Sequence, residues 1–369
     1  MRSDPSTNLP DWSRVRSVLL IRLRSIGDTV LMTPCLEALK AWRPDIKVAV
    51  VSEPLAAPIL EDYPLVDRLF VTGKSFAARA RVIRELRRAR YDVAFNLHGG
   101  TTATTLTRLA GARRTVGYRG YRHSQWLDLR APDPDVILGR AQLHSVEQQL
   151  ALLHWAGVPW PLARPQLSLA ISNDAERSAR EKLEAACRAQ ADSTRVGDEI
   201  HQGRFAIIAP AAAFESKRWT EAGFIEVAAH LRDRWRLASV VVAAPGQDAL
   251  AAKVAKQAGA VTLGGLTLKE LMALIKLSRV FVGNDSGPMH IAAALRRPLV
   301  AVFGSSNAAV WHPWTDSPYR IVEGREVGAG GQKDTNRPDA DGSFAIRRVP
   351  TSEVIAAVDD VLELAPVAS

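Results

Sequence analysis

The sequence predicts an α/β protein built from two doubly wound domains. Three observations lead there. Short apolar runs alternate with amphipathic segments along the whole chain. One proline-rich stretch interrupts the alternation, after which it resumes. A length of 369 residues exceeds one ordinary domain and suits two. The composition, 47% hydrophobic and 24% charged, is that of a globular chain with full-sized cores.

The first series has buried parallel strands at Val18-Leu-Leu-Ile-Arg22, Val48-Ala-Val-Val51, Leu69-Phe-Val71 and Val93-Ala-Phe-Asn-Leu97. They are continuous apolar runs, as strands covered on both faces require. Helical periodicity falls between them at residues 29–42, 56–61 and 77–89. A further helix over 142–156 stops at Gly157-Val-Pro-Trp-Pro-Leu-Ala-Arg-Pro165, whose three prolines suit a stiff linker. A polar helix is expected over 173–191 and a loop, read as a tolerated insertion, over 192–203. The second series has strands at 205–209, 239–244, 280–283 and 299–303, and helices at 221–235, 248–257, 268–277 and 288–295. Residues 324–345 read as a Gly- and Asp-rich loop, and 351–364 as a last amphipathic helix. Two such domains facing each other would leave a cleft, and ligands of open α/β sheets bind beyond the carboxyl ends of the strands.

The net charge of +9 is confined to one half. Residues 1–170 hold 24 Lys and Arg against 15 Asp and Glu, whereas 171–369 hold 24 of each. The first half therefore suits an anionic partner: nucleic acid, an anionic bilayer or a phosphorylated substrate. Arg79, Arg81, Arg84, Arg87, Arg88 and Arg90 flank an apolar stripe of Val82, Ile83 and Leu86, and Arg113, Arg114, Arg119, Arg122 and His123 follow. Stacking aromatics are sparse there, which argues against single-stranded nucleic acid. Cys35 and Cys187 make neither a disulfide framework nor a zinc site, so a reducing compartment is expected. The polar start, residues 1–16, lacks an apolar signal core, and no run reaches the roughly 18 apolar residues of a membrane span.

The richest motif is Val280-Phe-Val-Gly-Asn-Asp-Ser-Gly-Pro-Met-His290, an apolar strand running through a tight turn into a helix. Free N–H groups at Ser286 and Gly287 would meet a diphosphate at the helix N-terminus, and Pro288 would preset the first turn. By spacing alone, an ordinary helix start capped by Asp285 or Ser286 stands beside that reading. In Arg22-Leu-Arg24-Ser-Ile-Gly27-Asp28, Asp28 is open between a general base and an N-cap. In Ala211-Ala-Ala-Phe-Glu-Ser-Lys217, Lys217 is open between a phosphate clamp and a solvated charge. Asp248, after Pro245-Gly246, is open between a ribose ligand and an N-cap. Gly73-Lys74-Ser75 lacks the earlier P-loop glycine, since Arg68 stands there, and no Gly-x-Gly-x-x-Gly occurs. Asp133-Pro-Asp135 and Asp339-Ala-Asp341 sit in Pro- or Gly-rich loops and the histidines do not cluster, so no metal site is expected.

Taken together, Leu20-Ile-Arg-Leu-Arg-Ser-Ile-Gly-Asp-Thr-Val-Leu-Met-Thr-Pro34, Asn96-Leu-His98-Gly99-Gly100, His144-Ser-Val-Glu-Gln-Gln-Leu150, Lys217-Arg-Trp219 and the 283–295 turn resemble the ADP-heptose:lipopolysaccharide heptosyltransferases, glycosyltransferase family 9. The resemblance implies a GT-B fold of two Rossmann-like domains facing a central cleft. They would comprise an acceptor domain over 1–165, a donor domain over 166–345, and a C-terminal helical segment, 346–369, packing back on the first. It implies inverting, metal-independent transfer from an ADP-sugar, with no cofactor beyond the nucleotide-sugar substrate, to an anionic lipid-linked glycan.

Carried over, Asp28 matches the catalytic base and Lys217 the lysine on the donor phosphates. Asp285, Ser286, Gly287, Pro288, Met289 and His290 form the donor turn, and Asp248 stands where the family usually has a glutamate on the ribose. Arg22, Arg24, His98, Gly99, Arg119 and Arg122 fall to the acceptor side. Arginines between 79 and 122 would orient a phosphorylated acceptor and hold a monomeric, cytoplasmic enzyme at the inner membrane, without nucleic acid. Two features depart from the family pattern: 324–345 lacks the cysteines many relatives carry, and the 192–203 insertion is unusual.

Overall fold

The computed structural model describes residues 9–190, 194–324 and 344–365. They form two compact units, residues 1–170 and 171–369. The first holds β1 (Ser17–Ile21), β2 (Lys47–Ser52), β3 (Arg68–Val71), β4 (Val93–Asn96), β5 (Arg114–Tyr118) and β6 (Leu129–Ala131). The second holds β7 (Phe205–Ala209), β8 (Ala238–Val242), β9 (Val261–Leu263), β10 (Val280–Asn284), β11 (Leu299–Phe303) and β12 (Tyr319–Glu323).

Both sheets are parallel throughout, in the orders β3-β2-β1-β4-β5-β6 and β12-β11-β10-β7-β8-β9. Counted within each unit, this is one order, 3-2-1-4-5-6, used twice. It reverses direction between the first and fourth strands, so the crevice rule marks the exits of β1 and β4, and of β7 and β10.

The expected central strands are present and almost wholly buried. β5, β6, β9 and β12 carry no comparable apolar run. The last three lie at sheet edges, where part of each strand stays exposed and a continuous apolar stretch is not required. The helix expected over 29–42 is two helices, Ile26–Val30 and Thr33–Trp42, because Pro34 restarts it. Residues 56–61 make only the 3-10 turn Ala57–Ile59, around Pro58. The stretch 192–203, expected as a loop, contains the helix Thr194–His201, which buries Glu199 and Ile200. Most of the expected loop 324–345, with Asp339 and Asp341, lies outside the described residues.

The boundary between the units falls at 170 rather than 165. Beyond the prolines, Leu167 is buried, the Ser168 hydroxyl donates to Glu37 Oε1 at 2.7 Å, and the Ser168 N–H donates to Thr33 Oγ1 at 3.3 Å. These contacts fasten the chain to the first unit. The C-terminal helix Thr351–Leu364 packs within the second unit. It buries Val354, Val358 and Val361 in the second unit's core, and Asp359 receives Trp235 Nε1 at 2.6 Å. Its apolar face is thereby taken up by the second unit. Among the described residues no helix is long and apolar enough to cross a membrane.

Candidate active site

In the first unit the chain leaves β1 directly into Arg22, whose side chain is only 8% exposed. Its guanidinium donates to Leu97 O beyond β4, to Asp28 O at 3.3 Å and to Asp28 Oδ1. One buried cation thus ties together both strand exits at the switch point. Ser25, not Asp28, is the N-cap of helix Ile26–Val30: its hydroxyl accepts the Asp28 N–H at 3.1 Å and donates to Asp28 Oδ2 at 2.7 Å. Asp28 therefore stands in the first helical turn with its carboxylate aimed by Arg22 and Ser25. A carboxylate accepts about four hydrogen bonds, so both oxygens retain capacity for a substrate hydroxyl. Arg24 is exposed with φ +71°, an unusual conformation for a residue with a side chain.

The β4 exit is organised by Asn96, fully buried at the last position of the strand. Its Oδ1 accepts the N–H groups of His98 at 3.1 Å and Gly99 at 3.0 Å, and its Nδ2 donates to Thr104 Oγ1 at 3.0 Å. Thr104 Oγ1 in turn donates to Arg122 O at 2.9 Å, and the Arg122 N–H donates to Gly99 O at 3.2 Å. Gly99 has φ +81°, and a Cβ there would lie 2.6 Å from the Tyr121 ring, so glycine is required twice over. The network brings His98, Gly99 and the Arg122 backbone together, while the side chains of Arg119 and Arg122 project from the exposed loop beyond β5.

Burial, reinforced by Arg22 and Arg24 and opposed by Asp28, lowers the His98 pKa from 6.5 to about 4. The imidazole is neutral at neutral pH and can both donate and accept. Its folded pKa lies below its unfolded value, so the unfolded chain binds more protons between them. The stabilising contribution is complete above pH 6.5 and is lost as pH falls through about 4. His98→Gln is expected to flatten the stability profile across that window, as checked by denaturant unfolding at stepped pH.

In the second unit β10 ends in Asn284, also fully buried. Its amide donates to Pro210 O at 2.9 Å, beyond β7, and accepts the Trp219 N–H at 3.0 Å. Asn284→Ala would strand both backbone groups. A loss of about 1–3 kcal/mol is expected, measured by chemical denaturation. The next residue, Asp285, has a side chain 4% exposed and pairs with Lys217 Nζ at 2.7 Å. The Ser306 hydroxyl also donates to it. Lys217 is therefore an aimed cation at the β7 exit rather than a solvated loop charge.

Ser286 occupies the N-cap position of helix Gly287–Ala294, yet its side chain makes no capping bond and donates instead to Asn284 O at 3.2 Å. With Asp285 engaged by Lys217, neither residue caps the helix. Pro288 has no N–H and the Met289 N–H bonds to Ser286 O at 3.1 Å, so the Gly287 N–H is the first-turn donor that faces an anion. Ser286, Gly287 and Pro288 are partly exposed, whereas Met289 and His290 are buried.

Beside Lys217 lies a cavity of about 620 Å³, lined by Phe214, Ser216, Ser306, Asn307 and Trp311 among others. The loop beyond β11 that supplies Ser306 and Asn307 was not singled out in the sequence; its signal is the strand exit Gly304-Ser-Ser-Asn307. Gly304 is needed there, since a Cβ would sit 2.2 Å from Ser216 O. Asp248 does not join the Lys217–Asp285 cluster. It is exposed at the first turn of helix Asp248–Ala258, beyond β8, with Gln247 at the N-cap position and Gly264 beneath its Oδ1.

Two parallel sheets of one doubly wound order, each with polar groups gathered at its switch point, define the GT-B class of glycosyltransferase. The sequence pattern of glycosyltransferase family 9 (heptosyltransferase) matches residues 79–336. Lipopolysaccharide heptosyltransferase 3 of Escherichia coli is 30% identical over 355 residues, 92% of this chain and 97% of that protein. The glycosyl transferase family 9 structure from Veillonella parvula superposes with a TM-score of 0.78 at 21% identity, covering 95% of this chain and 98% of that one. E. coli heptosyltransferase WaaC, solved with ADP, gives 0.69 at 19% identity over 93% and 99% of the two chains. The chain belongs to glycosyltransferase family 9 and is an enzyme of the heptosyltransferase kind that serves lipopolysaccharide core biosynthesis.

Proposed function

We propose that this enzyme transfers a heptose, or a closely related sugar, from an ADP-sugar to an anionic lipid-linked core glycan, with inversion at the anomeric carbon. The observation that carries the reading is the uncapped helix start at Ser286–Gly287 beside the Lys217–Asp285 pair, at the switch point of the second sheet. Such a site stabilises the charge that builds on a departing diphosphate, with little reorganisation during reaction. A relative solved with ADP supports the choice of base. Asp248 would meet the ribose. Lys217 and the Gly287 N–H at the helix start supply the positive charge a leaving group needs, so the transfer is proposed to need no metal or cofactor.

The acceptor belongs to the first unit in this reading. Arg22 and Ser25 aim Asp28, which takes the proton of the attacking hydroxyl as it approaches the face of the anomeric carbon opposite the nucleotide. Neutral His98 and the Gly99 backbone position the sugar, while Arg24, Arg119 and Arg122 meet acceptor phosphates. The enzyme would act as a monomer at the cytoplasmic face of the inner membrane, without nucleic acid.

The test is transfer from ADP-heptose to core acceptor, with product anomers assigned by NMR and the assay repeated in excess EDTA. Inverted product at an undiminished rate is expected. Retained configuration would remove the single-displacement mechanism, and loss of activity in EDTA that a divalent ion restores would remove metal independence.

A further inference from the structure

A second feature of the first unit lies outside this chemistry. Helices Phe76–Ala89 and Thr101–Leu109 lie against the same side of the sheet, burying Val82, Leu86, Ala103 and Leu106 in one core. Between them runs a groove of about 880 Å³. Its apolar lining includes Phe76, Ala80, Ile83 and Leu109, and its rim carries Arg79, Arg84, Arg87, Arg88 and Arg90.

Neither set of groups is satisfied internally. Phe76 is 88% exposed. The one carboxylate of helix Phe76–Ala89, Glu85, pairs with Arg68 at 3.5 Å. Among the described residues no carboxylate pairs with the five rim arginines, and Arg79 Nε is buried without a hydrogen-bond partner. Arg87 spends only its Nε, on Leu109 O at 3.0 Å. Five uncompensated guanidinium groups around an exposed phenylalanine and an aliphatic floor match one environment well: phosphate headgroups above acyl chains. Single-stranded nucleic acid would want several stacking aromatics, and the groove has only Phe76.

We infer that the groove between helices Phe76–Ala89 and Thr101–Leu109 is the docking surface for an anionic phospholipid bilayer. Phe76 enters the acyl boundary and the arginines engage headgroup phosphates. This inference deepens the reading of a membrane-borne acceptor and rests on it. Both helices begin at the strand-exit edge that carries His98 and Gly99, so docking here brings the acceptor edge of the first unit to the membrane. The arginines of this helix are thereby separated from Arg119 and Arg122, which serve the acceptor.

The experiment is co-sedimentation of the full-length protein with vesicles of phosphatidylglycerol and phosphatidylethanolamine, or of phosphatidylcholine alone. The wild type is expected to partition onto the anionic vesicles only, and to be released at about 0.5 M salt, where charge attraction is screened. R84E/R88E is expected to lower partitioning by about ten-fold or more. Phe76→Ser, at a site too exposed to affect folding, should lower it several-fold. Both variants should transfer sugar to a lipid-free acceptor saccharide at the wild-type rate.

Unchanged partitioning of both variants, or equal wild-type binding to phosphatidylcholine, would overturn the inference. So would loss of lipid-free transfer in a folded variant, which would assign the groove to the acceptor pocket. Failure of the transfer reaction itself would appear separately, as an inactive wild type.

Discussion

Asp28→Ala is expected to leave ADP affinity within about two-fold of wild type while kcat falls by about 10²–10⁴-fold, the usual contribution of a positioned general base. Arg22 is the complication. Its guanidinium is nearly buried and would lose its carboxylate, though it keeps Leu97 O. Asp28→Asn separates the two effects, because the amide oxygen can still accept from Arg22 but the group no longer takes a proton. Equal losses in the two variants, with unfolding midpoints near wild type for Asn, assign the defect to proton transfer. Near-normal turnover in Asp28→Asn would remove Asp28 from the chemistry and leave it as a strut for Arg22. Steady-state transfer kinetics together with nucleotide titration make the measurement.

Lys217→Met is expected to act on both activity and stability. Removing one preorganised donor to a developing anion costs about 10²–10³-fold in kcat. Donor affinity should weaken as well, because the phosphates are charged before reaction begins. Asp285, only 4% exposed, would keep the Ser306 hydroxyl but lose its cation, which costs about 1–3 kcal/mol of stability. The double variant Lys217→Met/Asp285→Asn removes the stranded charge. It should recover stability without recovering transfer, whereas Lys217→Arg should recover part of the transfer. If the double variant regained activity, Lys217 would be serving Asp285 rather than the leaving group.

The fold was legible where an unbroken apolar run marks a covered strand; β5, buried along most of its length, escaped because Arg114, Thr115 and Gly117 interrupt its run. β1, β4, β7, β10 and β11 are covered on both faces and must be apolar without interruption. β6, β9 and β12 were not legible, because these edge strands are only partly buried and lack an apolar run like the Leu69-Phe-Val71 that marks the edge strand β3. The C-terminal helix was legible as a helix. Its apolar face, Val354, Val358 and Val361, fits any complementary core, and the second unit takes it up.

The site divides in the same way. Asp28, Lys217 and the 283–290 turn stand at strand exits, which an apolar run followed by Gly, Asp and Ser announces. What holds them does not show at that level. Asn96 and Asn284 each close the fourth strand of their sheet and bond to neighbouring loops, yet each reads in sequence as a polar residue ending a strand. Ser25 did carry a signal, since Ser-x-x-Asp is the spacing of a capped helix start, and that spacing displaces Asp28 from the cap. Ser306 meets Asp285 only through the adjacency of β10 and β11, which no local pattern encodes.

The donor assignment is tested most directly by titrating the full-length protein with ADP, UDP and GDP in a calorimeter, and repeating the ADP titration on Lys217→Met. ADP is predicted to bind at least about ten-fold tighter than the other two, a difference of about 1.4 kcal/mol, with that affinity weakened in the variant. No nucleotide binding, a preference for UDP or GDP, or ADP binding indifferent to Lys217 would contradict a leaving-group site at the exits of β7 and β10.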